Sequence, residues 1–276
     1  MVRVMFLKVK TALSKSNLPD LDYALNPYVG CIHSCIYCYA REYTREKLIS
    51  ENWGSIVAVK ENLIKVLARE VRRKPKGTVG ISTITDPYQS LEGRYQLTRR
   101  ALALLLMHGF RVSIQTKSDL VLRDMDLLTA YAEFIDVGLT VTTLDDEVGK
   151  LIEPHAPPPS RRAIAIKRMS EEGITTWIFL GPILPGINDK RDVIEGVVKL
   201  AAETGSTIYY DKLRIKKFMY RSGDDVLRNV ISKARCVNWP SLYEEIERTC
   251  ADYGVKCLPS FNEGKVVKLD RFLGYT

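Results

Sequence analysis

From residue 21 to residue 211 the chain switches repeatedly between short β-branched runs and longer stretches with apolar residues at the helical period. Residues 21–25 alternate apolar and polar side chains, which predicts a short strand. Over 61–73, Leu63, Ile64, Leu67, Ala68 and Val71 form one stripe, and Lys74-Pro75-Lys76-Gly77 stops that helix. A strand is predicted over 78–85, then a helix over 94–108 with Leu97, Ala101, Leu104 and Leu105 inward and Gly109 at its end. The alternation continues with strand 111–116, helix 121–132, strand 135–142, helix 161–172 closed by Gly173, strand 174–180, helix 190–204 closed by Gly205, and strand 207–211. Strands separated by helices of ten to fifteen residues predict right-handed βαβ units and a parallel sheet of about six strands. Beyond residue 211 the pattern breaks, and helices over 225–233 and 241–253 and a strand over 255–258 follow. The organisation expected is an N-terminal segment (1–20), a core barrel (21–213) and a small α/β extension packed on it (214–276).

Several predicted strands end in polar residues: Thr83-Ile84-Thr85-Asp86, Gln115-Thr116-Lys117-Ser118, Thr140-Val141-Thr142-Thr143 and Asp211-Lys212. One such end is ordinary, because strands stop where loops begin. Four together mark a shared face, since parallel α/β folds place their active sites at the C-terminal ends of the strands.

Composition changes this picture little. The chain has 276 residues, 46% of them hydrophobic, and a formal charge of +8. That charge is compatible with a nucleic-acid partner without requiring one. No secretory signal and no apolar run long enough for a bilayer are evident, so a cytoplasmic, non-membrane protein is expected. In that reducing compartment the six cysteines are expected to bind metal or stay free rather than pair.

Three of those cysteines are crowded into one loop as Cys31-x3-Cys35-x2-Cys38, with Gly30 before the first and Tyr37 and Tyr39 flanking the third. Such crowding usually holds a metal, and three thiolates leave a coordination position open for chemistry. A zinc site from Cys31, His33, Cys35 and Cys38 has the right donors but would crowd four ligands into eight residues, so His33 reads as a loop residue beside the cluster. Cys250 falls on an apolar helical stripe and reads as a small core residue, Cys257 lies on an apolar strand, and Cys236 has no partner at motif spacing. Residues 212–221 interleave five cations with Phe218 and Tyr220, the best nucleic-acid-contacting candidate in the chain, or else a solvated edge.

Cys31, Cys35, Tyr37 and Cys38 give Cys-x3-Cys-x-aromatic-Cys, which resembles the signature of radical S-adenosylmethionine enzymes. The runs at 18–28, Thr85-Asp86-Pro87-Tyr88-Gln89, Thr116-Lys117-Ser118 and Gly181-Pro182-Ile183-Leu184-Pro185-Gly186 resemble the branch related to spore photoproduct lyase, often labelled DNA repair photolyase-like. The resemblance covers roughly residues 15–211 and implies a partial (β/α)6 barrel. It implies a 4Fe–4S cluster on Cys31, Cys35 and Cys38 whose fourth iron is chelated by S-adenosylmethionine, giving a 5′-deoxyadenosyl radical that takes hydrogen from substrate. It also implies a low-potential electron donor of flavodoxin or ferredoxin type. Residue by residue, Thr85 and Asp86 match the strand end that meets the cofactor's amino group and ribose, Lys117 a lysine that meets its carboxylate, and Thr142 a hydroxyl on a neighbouring strand. Ile183 to Gly186 resembles the backbone beside the adenine, and Tyr37 the aromatic next to it. Tyr39 matches a tyrosine proposed to relay a hydrogen atom. The chain departs from the spore enzyme where that enzyme has a cysteine hydrogen donor, a place that falls at about Thr83 here. This leaves the substrate open, with nucleic acid as one candidate class. The other readings are a protein, peptide or small-molecule substrate, and a non-catalytic zinc or iron–sulfur nucleic-acid-binding protein.

Overall fold

The structure, a computed structural model, describes residues 2–18 and 20–261. Its strands, in chain order, are β1 (Arg3–Leu7), β2 (Ser14–Lys15), β3 (Tyr23–Leu25), β4 (Tyr28–Val29), β5 (Ile56–Lys60), β6 (Thr78–Ile81), β7 (Arg111–Thr116), β8 (Ile135–Thr140), β9 (Thr175–Ile183), β10 (Thr207–Lys212) and β11 (Cys257–Pro259). The main sheet runs β11-β10-β9-β8-β7-β6-β3-β2, parallel throughout except for the antiparallel β2–β3 pair. The expected parallel strands are all present, in sequence order. The sheet does not close on itself: β2 and β11 are its two ends.

Register explains why this open barrel has a working interior. Along β7, Val112 and Ile114 are buried while Ser113 and Gln115 are half-exposed, and along β9 Ile178 and Leu180 are buried while Trp177 and Phe179 are half-exposed. The buried set packs outward against the helices Leu97–Met107, Pro159–Glu171 and Arg191–Thr204 in one core. The alternate set lines a concave face, because successive strand side chains point to opposite sides. Continuous apolar strands, the usual mark of a parallel sheet covered on both faces, are therefore absent for a reason.

The structure revises several boundaries. The strand predicted over 78–85 ends at Ile81, and residues 82–85 turn into the site instead. The helix predicted over 94–108 breaks at Gln96, whose φ is +48°. The helix predicted over 121–132 divides into a 3-10 segment, Asp119–Asp124, and an α-helix, Met125–Ala130. A second sheet, β1-β5-β4, and the helix Asp146–Ile152 were not anticipated from the pattern.

The cysteine expectation is also corrected: Cys250, at the end of the helix Trp239–Asp252, forms a disulfide with Cys257 on β11. Cys31, Cys35, Cys38 and Cys236 remain free. The pairing joins an apolar helix face to the edge strand beside it, a neighbourhood that spacing alone does not reveal.

Candidate functional site

The cysteine loop is fastened to the top of the sheet through its own backbone. Gly30 takes φ +83°, and a Cβ there would sit 2.9 Å from the Ile56 carbonyl oxygen. Only glycine fits such a turn against a neighbouring backbone without strain. The Gly30 carbonyl accepts from the Thr85 hydroxyl at 2.5 Å and from Gln89 Nε2 at 3.3 Å, while Gln89 Oε1 takes the Ile32 amide at 3.0 Å. On the other side Ile36 N–H bonds to Ile152 O at 3.0 Å, and His155 N–H bonds to His33 O at 3.2 Å. Beneath the loop, Tyr28 donates to Glu92, and Glu92 and Asp124 share Arg123 in a buried ionic network.

Cys31 and Cys35 are each 7% exposed and Cys38 somewhat more open, and all three line one cavity of about 1250 Å³. Burial and the neighbouring Asp86 push the Cys31 thiol up, and burial likewise raises Cys35 against the opposing Lys117 ammonium. Thiols held neutral by burial and by one another become thiolates when a cation takes the proton's place. Their donor set suits an iron–sulfur cluster, which takes one thiolate per iron. Among the described residues no three His, Cys, Asp or Glu side chains converge on a single ion position. His33 turns away from a ligand role: its Nδ1 lies 3.4 Å from Asp86 Oδ2.

Tyr37, Tyr39, Thr83, Thr85, Asp86 and Lys117 line the same cavity as the thiols. Asp86 is committed to the protein, its Oδ1 accepting from Tyr88 N–H at 2.9 Å and the Thr116 hydroxyl at 2.7 Å, its Oδ2 from Lys117 N–H at 2.8 Å. Burial works to raise its carboxyl, but His33 and these donors outweigh burial and hold it at about 2. Lys117 is pulled down by burial and lifted further by the charges of Cys35 and Glu153, so it stays an ammonium. Its Nζ stands 5.7 Å from the Tyr37 ring. Tyr39, 46% exposed, donates to the Thr83 carbonyl at 2.5 Å, while the Thr83 hydroxyl accepts from Asn26 Nδ2 at 3.2 Å. Thr142, Ile183 and Gly186 do not line the cavity: Ile183 is wholly buried, and Gly186 N–H is taken by Asp189 Oδ1 at 2.7 Å. Gly181 and Pro182 line it instead.

Three buried hydroxyls, Ser82 Oγ, Thr142 Oγ1 and Ser260 Oγ, have no hydrogen-bond partner among the described residues. Buried polar groups are rarely left so, and Ser82, beside the thiols' cavity, thereby joins the candidate site. A pair that the motifs did not single out, Glu153 and Arg162, is buried behind the loop. Arg162 Nη2 lies 2.5 Å from Glu153 Oε2, and Tyr37 donates its hydroxyl to the same carboxylate. The 212–221 segment is divided: Lys212, Arg214 and Lys216 line the cavity, and Lys217, Tyr220 and Arg221 are exposed. Leu213 and Met219 pack in one apolar cluster with Cys35, Tyr37 and Leu184. Arg214 bonds Asp211, Lys216 Nζ donates to Tyr43, and Arg41 sits over the Phe218 ring.

The family model of the radical SAM superfamily matches residues 25–196. A protein of Methanocaldococcus jannaschii is 36% identical over 193 residues, 70% of this chain and 72% of that protein. A protein of Mycobacterium tuberculosis is 34% identical over 219 residues, 74% of this chain but 64% of its own length. Both are described as uncharacterised. Among solved structures, spore photoproduct lyase complexed with dinucleoside spore photoproduct superposes with a TM-score of 0.67 at 15% identity, covering 94% of this chain and 82% of that one. Streptococcus suis SuiB bound to S-adenosylmethionine superposes at 0.54 and 14% identity, covering 90% of this chain and 53% of that one. At such identities the likeness concerns the fold, an open parallel barrel. The family match over more than half of the chain, with the cysteine motif in its loop, places this chain in the radical SAM superfamily of enzymes.

Proposed function

We propose that the chain is a cytoplasmic radical enzyme that uses S-adenosylmethionine on a 4Fe–4S cluster, with a low-potential flavodoxin- or ferredoxin-type protein as reductant. When bound, the cluster and S-adenosylmethionine supply reductive cleavage of the sulfonium to a 5′-deoxyadenosyl radical, which takes hydrogen from substrate. Cys31, Cys35 and Cys38 would hold the cluster and leave one iron open to the cofactor. The observation that carries this reading is the meeting of three free thiols, two of them buried, and the Lys117 ammonium on one cavity, with the unpartnered Ser82 hydroxyl beside them.

In this reading the protein's own groups have distinct tasks. Lys117 supplies the cation for the cofactor's carboxylate, an ion pair that strengthens as water leaves. Ser82 supplies a hydroxyl, and Gly181 and Pro182 take the backbone edge that the resemblance gave to Ile183 and Gly186. Thr85 and Asp86 act at one remove: Thr85 fixes the cysteine loop and Asp86 fixes the Lys117 backbone and His33. Tyr37 packs against the Lys117 ammonium, and Tyr39, whose hydroxyl donates to the Thr83 carbonyl, is the residue we assign to a hydrogen relay. The run 80–87 contains no cysteine, so a donor of the spore-enzyme type is not part of this proposal. Nucleic acid is the substrate class we favour over a protein, peptide or small molecule, because cations outnumber acids around the cavity.

Anaerobic reconstitution with iron and sulfide tests the assignment. Wild type is expected to take up about four irons per chain. Its reduced electron paramagnetic resonance spectrum should shift on adding S-adenosylmethionine, and Lys117→Met should need about tenfold more cofactor for that shift. Zinc at about one per chain with no iron-dependent spectrum would instead support the metal-binding, non-catalytic alternative.

A further inference from the structure

The concave face of the barrel carries a second group of residues, deeper than the thiols and not used by the chemistry above. Trp177 and Phe179 alternate along β9, and Tyr209 on β10 stands in register with Phe179. All three line the large cavity. Two glycines give the rings their posture. Gly138 on β8 is in register with Trp177, and a Cβ on Gly138 would meet three atoms of the indole at once. A Cβ on Gly181 would likewise meet the Phe179 ring. Each ring therefore lies down on the sheet floor over a residue without a side chain and turns its other face to the cavity. Tyr209 meets the Trp177 ring edge-on at 5.5 Å and walls the platform.

The indole is locked in that posture by a carboxylate. Trp177 Nε1–H donates to Asp136 Oδ1 at 2.7 Å, and the Ser113 hydroxyl donates to the same oxygen at 2.6 Å. Both bonds land on Oδ1, and among the described residues no hydrogen bond to Oδ2 is seen, so Oδ2 can accept from a ligand. Burial raises this carboxyl above its ordinary value against those two donors and the nearby Arg111 charge. Around the same cavity stand Lys15, Arg45, Lys60 and Arg111, on a chain of net charge +8.

We propose that Trp177, Phe179 and Asp136 form the substrate-recognition floor for a nucleobase of a phosphate-bearing nucleotide. The rings stack on the base, Asp136 Oδ2 accepts an N–H from its edge, and the basic side chains take its phosphates. A flat aromatic face suits any planar ring, but an acceptor beside it selects rings carrying N–H donors. The cations select an anionic carrier over an aromatic residue in a neutral or basic peptide. This deepens the proposed function and rests on it for the position of the reacting end, at the thiols above.

The test is binding of fluorescein-labelled single-stranded hexamers of dT, dC and dA to the anaerobically reconstituted full chain, followed by anisotropy. Wild type is expected to bind at least one hexamer more weakly as salt rises. Trp177→Leu should weaken that binding about tenfold or more, and Trp177→Phe much less. Asp136→Asn, which keeps an acceptor for Trp177 but turns the free edge into a donor, should change the preference among the three bases at least threefold. Should Trp177→Leu fail to fold, a chain with Trp53→Phe and Trp239→Phe keeps Trp177 as its single tryptophan, whose fluorescence the bound hexamer should quench saturably. No hexamer binding, equal binding by Trp177→Leu, or competition by tyrosine- and tryptophan-containing peptides alone would overturn the assignment. Formation of 5′-deoxyadenosine by wild type in the same preparation separates the two proposals: if it forms while no hexamer binds, the recognition floor falls alone.

Discussion

Single residues in this site divide by whether their polar atoms are spent on the protein or kept for something else. Asp86 is spent: four groups, from Tyr88, Thr116, Lys117 and His33, face its two oxygens. Its pH dependence follows. With a folded value of about 2, below the ordinary carboxylate value of about 3.9, Asp86 contributes stability that is complete above about pH 4 and is lost as pH falls through its folded value. Urea unfolding from pH 6 down to pH 2 should therefore show wild type losing about 2 kcal/mol that Asp86→Asn does not have to lose. A constant difference between the two proteins across that window would contradict the assignment. Sequence reasoning found Asp86 because it sits in a motif, but gave it to the cofactor. Its inward bonds come from Thr116 and Lys117 on the next strand end, a proximity that only β6–β7 pairing creates. Glu153 and Arg162 were invisible for the same reason: nothing in local spacing tells a solvated charge from one buried against its partner.

At the scale of elements, the cysteine loop is held at both ends by backbone bonds and turns on Gly30. Placing a side chain at φ +83° against Ile49 and the Ile56 carbonyl forces the loop away from Thr85 and Gln89. Gly30→Ala is expected to cost about 1–3 kcal/mol in thermal or urea unfolding and to lower iron uptake on reconstitution. Full iron loading at unchanged stability would show that the loop does not depend on this turn. The edge strand β11 offers a second test. Its disulfide closes a short loop between Cys250 and Cys257, and in chain-entropy terms such a closure contributes about 2–3 kcal/mol. A phosphine reductant should lower the wild-type midpoint and leave Cys250→Ser, which lacks the bond, unmoved. Strand and helix cores were legible because apolar periodicity is a local property of Val112, Ile114, Ile178 and their kin. Ends were less so: Gln96 breaks a helix with no glycine or proline to announce it, and the 82–85 run is β-branched yet leaves the sheet.

Across the whole molecule the open barrel brings two zones into one cavity, thiols with Lys117 at the strand ends and aromatic rings on the floor. The first zone was legible because its chemistry is carried by a contiguous motif and by strand ends that polar residues mark. The second was not, because Trp177, Asp136 and Gly138 are ordinary strand residues until β8 and β9 pair and lay the indole over the glycine. The basic 212–221 segment combines both expectations: Leu213 and Met219 pack with Cys35 and Tyr37, while Lys212, Arg214 and Lys216 line the cavity. Everything proposed for this cavity depends on Cys31, Cys35 and Cys38 carrying a radical-generating cofactor assembly. Chromatographic measurement of 5′-deoxyadenosine after anaerobic reconstitution, with dithionite and S-adenosylmethionine added, tests it most directly. Product is expected from wild type and none above background from Cys35→Ala; no product from an iron-loaded wild type, or equal product from the variant, would overturn the assignment.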